Sequence, residues 1–176
     1  MSTKAIVGGI ALLAVALLVA GGLNSTSVPA SPSLQSASLQ SVVRNGNVPD
    51  FSLEKLDGGT ITLSEFSGKK PVVVDFWASW CPNCRRDMPR LNGFYEKYKD
   101  KVAVVGVNLQ ESASTVRDFI ASRGISFPIA LDPYGQASNA FGVRSTNTHV
   151  LIHKDGTVAR TIPGDIQESD ILSLIE

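Results

Sequence analysis

The stretch that decides the fold is Val72–Cys84, VVVDFWASWCPNC, in which a run of apolar residues leads into a pair of cysteines. Val72–Trp77 is rich in β-branched and aromatic residues, which is typical of a strand buried on both faces of a sheet. Apolar residues at helical spacing follow Cys81. They are Met88, Leu91, Phe94, Tyr95 and Tyr98. The pattern therefore predicts that Cys81 lies where a buried strand gives way to an amphipathic helix.

This position gives the two cysteines a chemical interpretation. The first turn of a helix has unpaired backbone N–H groups and the positive end of the helix dipole, and both stabilise a thiolate. Cys84 follows one helical turn later, where it can attack a mixed disulfide and release the product. We interpret Cys81 as the attacking thiol and Cys84 as the resolving thiol of a redox-active pair. A permanent structural disulfide is disfavoured because so short a loop restrains the unfolded chain little.

Asp75 is the one charged residue in the predicted strand, six positions before Cys81. Burying a carboxylate is costly, so its presence needs a reason. Alternation along the strand directs Asp75 beneath the cysteine turn, where it can accept a proton from Cys84 with a pKa raised by desolvation. The alternative is a hydrogen-bonded or outward-facing aspartate at a strand end.

Strands and helices alternate along the remainder of the chain. Two hairpins are predicted, one at Phe51–Leu53 and Thr60–Leu63 and the other at Thr148–Ile152 and Thr157–Thr161. Between them lie a buried strand at Val102–Leu109, a helix capped by Ser114 and ended by Gly124, and a short helix at Gly135–Phe141. Pro89 is expected to kink the helix after Cys81, and Ile171, Leu172 and Ile175 mark a last helix. The order predicts an α/β fold with a mixed sheet covered by helices on both faces.

The N-terminal part differs in composition from the rest. Ala5–Leu23 has no charged residue and is close to the roughly 20 residues that span a bilayer, which favours a transmembrane anchor over a cleaved signal sequence. The Ser-, Pro- and Gln-rich segment that follows resembles a flexible linker. We therefore predict a cytoplasmic N-terminus at 1–4, an anchor or signal sequence at 5–23, a linker at 24–46 and a folded domain at 47–176.

Composition excludes several other classes of protein. Acidic and basic residues balance, with 16 of each, so nothing indicates a nucleic-acid-binding protein. Only two cysteines are present, which excludes a multi-disulfide scaffold and a zinc site made of cysteines alone. We predict neither a cofactor nor a resident metal.

The segment from Val48 to Glu176 resembles the TlpA/ResA branch of the thioredoxin superfamily. The resemblance is carried by VPDFSLEKLDGGTITLSEFSGKKPVVVDFWASWCPNC and by the later FPIALDP, FGV and HKDG. It implies a thioredoxin-like fold with an N-terminal β-hairpin extension, an exposed attacking Cys81, a resolving Cys84, a buried acid at Asp75, and matching positions at Trp80 and Pro89. Pro82 and Asn83, between the cysteines, are further candidate contacts for the substrate.

The resemblance also implies a function, a location and partners. The chain is expected to be an extracytoplasmic thiol–disulfide oxidoreductase, anchored in the cell membrane by a single helix, with its catalytic domain on the periplasmic or extracellular side. Its expected substrates are disulfides of exported proteins, apo-cytochrome c among them. The expected direction is reduction, with electrons from a membrane thiol–disulfide donor.

One position departs from the family. Asn147 stands where the family usually has a cis-proline facing the cysteines, and a cis bond before a non-proline residue costs roughly 3–4 kcal/mol. Either Asn147 keeps the cis geometry under strain, or the loop is trans and rearranged, and we favour the rearranged loop. Thr146 and Asn147 are candidate contacts for the substrate.

Two other functions compete with disulfide exchange. Cys81, Cys84 and His149 could together bind copper, as in a metallochaperone, because thiolates and imidazole suit that metal. Against this, His149 is also an ordinary residue for a strand, and the two-residue spacing of the cysteines suits redox chemistry better. A peroxiredoxin is less favoured because Ala78 lies where such enzymes need a hydroxyl group.

Overall fold

The computed structural model describes residues 48–176. Seven strands form one sheet: β1 (Ser52–Lys55), β2 (Thr60–Thr62), β3 (Val72–Trp77), β4 (Ala103–Leu109), β5 (Ile129–Asp132), β6 (Thr148–Ile152) and β7 (Val158–Pro163). Four α-helices accompany it: α1 (Pro82–Tyr98), α2 (Ala113–Arg123), α3 (Gln136–Ala140) and α4 (Glu168–Ile175). A short 3₁₀ helix, Leu63–Phe66, follows β2.

The sheet is mixed, with the strand order β2-β1-β5-β4-β3-β6-β7. β3, β4 and β5 are parallel neighbours, and β6 lies antiparallel to β3 on its other side. Because the carboxyl ends of β3, β4 and β5 meet at one edge, the loops that follow these strands come together there. The cysteine turn after β3 is one of those loops.

Helices cover both faces of the sheet, and alternation along each strand divides the core accordingly. On one face, Val73, Trp77 and Leu151 pack in a cluster with residues of α1, α2 and α4. On the other face, Val74 and Phe76 pack in a cluster with residues of the β1–β2 segment and α3. This is the thioredoxin-like α/β architecture with a central mixed sheet that the sequence predicts.

The structure corrects the predicted elements in two places. β5 was not predicted as a strand, although it lies within the FPIALDP motif. The cap of α2 is Ser112 and not Ser114: the Ser112 side chain accepts a hydrogen bond from the Thr115 N–H at 3.2 Å. The prediction for Gly124 is confirmed, since this residue ends α2 in the left-handed conformation with φ 61°.

The predicted N-terminus, anchor and linker, residues 1–46, lie outside the described residues. Between residues 48 and 176 the structure contains no helix with the length and apolar character needed to cross a membrane.

Candidate active site

Cys81 and Cys84 lie where the sequence predicts them, at the start of α1. Cys81 is the N-cap of the helix and Pro82 occupies its first turn, a position that suits a residue without an N–H. The Cys81 sulfur accepts a hydrogen bond from the Cys84 N–H at 3.1 Å. The two residues form a disulfide with their Cα atoms 5.3 Å apart. Cys81 keeps 4% of its surface exposed whereas Cys84 keeps none, so an incoming sulfur meets Cys81 first.

Asp75 lies in the middle of β3 and is almost completely buried. It alternates with Val73 and Trp77, so it faces the same side of the sheet as Cys84 and α1. Among the described residues, neither carboxylate oxygen of Asp75 has a hydrogen-bond partner. Desolvation by burial is the main cause that raises the pKa of Asp75 from 3.8 to about 6, and nearby His149 partly opposes it. Asp75 can therefore take up and release a proton close to neutral pH.

His149 lies on the neighbouring strand β6, directly opposite Asp75 in the register. It is 1% exposed, and each ring nitrogen faces a carboxylate. Nδ1 is 3.3 Å from Asp75 Oδ1, and Nε2 is 3.0 Å from Asp87 Oδ2. Burial works to lower the pKa of His149, but the charges of Asp75 and Asp87 and the hydrogen bond to Asp87 outweigh it and raise that pKa. The result is a buried row of acid, imidazole and acid.

Asp87, on α1, closes this row. Its Oδ2 also accepts a hydrogen bond from the Ile166 N–H at 3.2 Å, and its Oδ1 contacts the Arg90 guanidinium. Burial favours a raised pKa for Asp87, but the bonds from His149, Arg90 and Ile166 prevail and lower it. Asp87 is therefore held as an anion even though it is buried.

Asn147 lies beside this group. Its backbone is left-handed, with φ 57°, a conformation that asparagine tolerates better than most residues. The side-chain amide of Asn147 donates a hydrogen bond to Asp165 at 3.1 Å, and the backbone carbonyl oxygen of Asn147 accepts one from the Gly164 N–H at 2.7 Å. Only 2% of Asn147 is exposed, so its side chain points to Asp165 instead of to the surface. Its predicted contact with a substrate stays a prediction.

A groove of about 520 Å³ opens next to Trp80, at the edge where the β-strand loops meet. Trp80 is 66% exposed, and Thr146 lines the same groove. The structure thus brings these two predicted contact residues together. Pro82 and Asn83 are also exposed, although the Asn83 side chain accepts a hydrogen bond from Arg86 at 3.3 Å.

The loop before the cysteines is held by Glu111, which follows β4. One Glu111 oxygen accepts the Ser79 N–H at 2.7 Å and the Asn108 amide at 2.7 Å, and the other accepts the Ser79 hydroxyl. These bonds fix the backbone two residues before Cys81. Asp87 and Glu111 are absent from the residues predicted above. Asp87 could have been predicted as a buried acid, because it falls on the apolar stripe of α1 between Cys84 and Leu91.

The residues proposed for copper do not assemble into a metal site. Both His149 nitrogens face carboxylates, as described above. Within residues 48–176 there is no group of three or more histidine, cysteine, aspartate or glutamate side chains that could hold a metal ion.

A helix that starts at a cysteine pair, on a mixed sheet with a buried acid, defines the class of thioredoxin-like redox proteins. Comparison with known proteins agrees. The sequence model of the Redoxin family matches residues 44–175. The chain is 34% identical over 144 residues to the thiol–disulfide oxidoreductase ResA of Bacillus subtilis, covering 80% of each chain. It is 37% identical to ResA of Geobacillus thermodenitrificans, covering 77% of this chain and 78% of that protein.

Solved structures extend the similarity. A Chlorobium tepidum protein assigned as thiol:disulfide interchange protein DsbE superposes with a TM-score of 0.69 at 34% identity, covering 74% of this chain and 96% of that one. StoA from Bacillus subtilis gives a TM-score of 0.64 at 27% identity, covering 73% and 97%. The chain belongs to the Redoxin family. It is a thiol–disulfide oxidoreductase that acts on protein disulfides.

Proposed function

We propose that this protein reduces disulfides of exported proteins on the outer side of the cell membrane, with Cys81 as nucleophile, Cys84 as resolving thiol and Asp75 as proton acceptor. The observation that carries the proposal is the position of Cys81 at the helix N-cap, with its sulfur bonded to the Cys84 N–H. The same backbone group and the helix dipole stabilise a thiolate on Cys81 in the reduced protein.

The exchange proceeds in two displacements. The Cys81 thiolate attacks one sulfur of the client disulfide, which forms a mixed disulfide and expels the other client sulfur as a thiolate. Cys84 gives its proton to Asp75 and attacks the Cys81 sulfur. The Cys81–Cys84 disulfide forms and the second client sulfur leaves. The client gains two electrons, and the protein loses two.

Two single variants test the assignment of the cysteines. Cys84→Ser should accumulate the mixed disulfide with a client, because the second displacement is lost, whereas Cys81→Ser should form none. Mass spectrometry of the reaction with a disulfide-containing peptide distinguishes them. Accumulation in Cys81→Ser and not in Cys84→Ser would reverse the two roles.

The reducing direction is tested by the potential of the Cys81–Cys84 couple, measured by equilibration with glutathione. A reductant should have a value near that of thioredoxin, about −270 mV, whereas a strong oxidant lies near −120 mV. A value at the oxidising end would contradict this proposal and leave the oxidoreductase class intact.

The proposed client class includes apo-cytochrome c, whose haem attachment motif C-x-x-C-H can itself form a disulfide. A peptide with this motif, oxidised, should be reduced faster than the same residues in scrambled order with the cysteines at unchanged spacing. Equal rates would point to exported disulfides in general.

The proposed location rests on the apolar segment Ala5–Leu23. We expect the full chain to fractionate with membranes and its cysteine domain to be digested by protease added outside intact cells stripped of any outer membrane. A chain found in the soluble cytoplasmic fraction would contradict the proposal. The proposed electron donor is a membrane thiol–disulfide protein, whose thiolate would attack the Cys81 sulfur of the Cys81–Cys84 disulfide and expel the Cys84 sulfur as a thiolate.

A further inference from the structure

His149 has no role in the exchange chemistry described so far, yet it is buried between two acids. Its ring lies between β3 and α1, with Asp75 on one side at 3.3 Å and Asp87 on the other at 3.0 Å. A buried imidazole with a carboxylate at each nitrogen is stabilised in its doubly protonated, cationic form, in which both nitrogens are donors.

The two contacts differ in geometry. Nε2 is hydrogen-bonded to Asp87, which also accepts from Ile166 and contacts Arg90. Nδ1 is near Asp75 Oδ1, but neither atom has a hydrogen bond among the described residues. Asp87 therefore anchors the ring, and the imidazolium charge lies beside Asp75 without a hydrogen bond to it. Asp75 remains free to bond a proton that arrives from Cys84.

We propose that His149 is a positioning residue for disulfide exchange, whose imidazolium charge, anchored by Asp87, keeps Asp75 ionised so that Asp75 can accept the Cys84 proton. This inference rests on the proposed role of Asp75. In this proton transfer the Cys84 S–H bond breaks, the proton moves to Asp75, and the electron pair stays on the Cys84 sulfur.

The charged and titratable groups around His149 all come from a few elements. β3 contributes Asp75, and α1 contributes Asp87, which also contacts Arg90. The segment before α4 contributes Asp165, which contacts Arg90 at 3.6 Å and Arg86 at 2.9 Å. On β7 the register partner of His149 is Ile162, which carries no charge. The His149 imidazolium is thus the cation beside Asp75. Its removal would leave Asp75 with the negative charge of Asp87 nearby and no opposing cation from His149.

The consequence is a shift in pH dependence. The pKa of Asp75 is about 6 with His149 present. An opposite charge at this distance typically lowers the pKa of a carboxyl group by roughly 1–3 units, so a neutral side chain at position 149 should raise it. At pH 6 the ionised fraction of Asp75, and with it the rate of the Cys84 step, should then fall by about fivefold or more. At high pH, where Asp75 is ionised in both proteins, the rates should converge.

The test compares His149→Gln with the unchanged full-length chain in detergent. The probe is dithiobis-nitrobenzoate, which releases one coloured thiol when Cys81 attacks and a second when Cys84 resolves the mixed disulfide. The rate of the second release is measured across about pH 5–8, a range that brackets the pKa of Asp75. We expect its half-maximal point to move to higher pH in His149→Gln. Superimposable profiles would overturn the proposal.

A matched control comes from the other histidine of the chain. His153 is exposed next to the hairpin turn, so His153→Gln should keep the original profile. If His153→Gln shifts the profile as far as His149→Gln does, the effect is not local and the proposal fails.

A second measurement needs no variant. Nitrogen chemical shifts of the full-length chain should show His149 with both nitrogens protonated at pH 7, where an ordinary histidine is mostly neutral. A neutral His149 ring at that pH would overturn the proposal even if His149→Gln fails to fold. If the unchanged chain released neither thiol from the probe, the proposed exchange function would fail instead, and the charge of His149 would still be measurable.

Discussion

Asp75 is a carboxylic acid in a strand whose other five residues are apolar, and all six are buried. Burial raises its pKa from 3.8 to about 6, so the ionised form is less stable in the folded protein than in the unfolded chain. Because the folded-state pKa is the higher one, folding is favoured below pH 3.8, and this advantage is lost as the pH rises through 6. At neutral pH the buried Asp75 carboxylate therefore lowers the stability of the fold, and this is the residue that we propose as proton acceptor.

Replacement of Asp75 with asparagine tests how much the buried carboxylate lowers the stability of the fold. The shift of its pKa corresponds to roughly 3 kcal/mol at neutral pH, so Asp75→Asn should unfold at higher urea concentration than the unchanged protein at pH 7. The difference should disappear below about pH 3, where Asp75 is protonated in both states. Urea unfolding of the oxidised proteins at the two pH values measures this. An Asp75→Asn variant that is less stable at pH 7 would contradict the assignment of burial as the dominant cause.

At the scale of elements, α2 illustrates how a local signal can point to the wrong residue. Ser112 and Ser114 are both near the start of this helix, and both are exposed. Only the Ser112 oxygen accepts a backbone N–H, from Thr115. We expect Ser112→Ala to lower the free energy of unfolding by about 1 kcal/mol, because one N–H of the first turn loses its partner.

Ser114→Ala is the matched control for the cap. It changes the same type of residue two positions later and should alter the free energy of unfolding by less than about 0.5 kcal/mol. Chemical denaturation of the two variants side by side decides between the two caps. A larger loss in Ser114→Ala would restore Ser114 as the capping residue.

β4 approaches its neighbours closely at Gly106, which pairs with Asp75 in the register. A Cβ atom there would lie 2.7 Å from the Ile129 side chain and 2.9 Å from that of Phe127. We expect Gly106→Ala to destabilise the fold by roughly 1–3 kcal/mol, because this tightly packed part of the core must shift. The loss should be visible as a lower midpoint of thermal unfolding.

Gly93→Ala is the control for Gly106→Ala. Gly93 is exposed in α1, and an added Cβ would meet nothing within 4 Å. There the substitution should stabilise the protein by about 0.5–1 kcal/mol, since alanine loses less backbone entropy in a helix. Equal changes in the free energy of unfolding in the two variants would show that the close contacts around Gly106 do not determine the effect of an added Cβ atom.

At the scale of the whole molecule, the two apolar clusters of the described domain consist of buried residues from Phe51 onward. We therefore expect a fragment comprising residues 47–176 to unfold in one cooperative transition and to exchange disulfides with a small probe as fast as the full chain does. Circular dichroism and the rate of probe reduction measure the two properties. A fragment that lacks a cooperative transition would show that the first 46 residues contribute to the core.

Much of this molecule is determined locally and can be read from the sequence. The apolar run of β3, the helical spacing after Cys81 and the turn residues of the hairpins predict most elements and the redox pair, because these signals involve neighbours in the chain. β5 was not predicted because only four residues, three of them apolar, lie between two prolines, which is too few positions to show a period. Pro128 and Pro133 are those prolines.

The surroundings of the acid are determined by tertiary structure alone. Asp75, Asp87 and His149 belong to three different elements, β3, α1 and β6. Only the pairing of β3 with β6 and the packing of α1 bring both carboxylates within 3.3 Å of the His149 ring. His149 is an unremarkable strand residue in the sequence. The charge of its ring depends on two neighbouring carboxylates and on burial, and both arise only when the chain has folded.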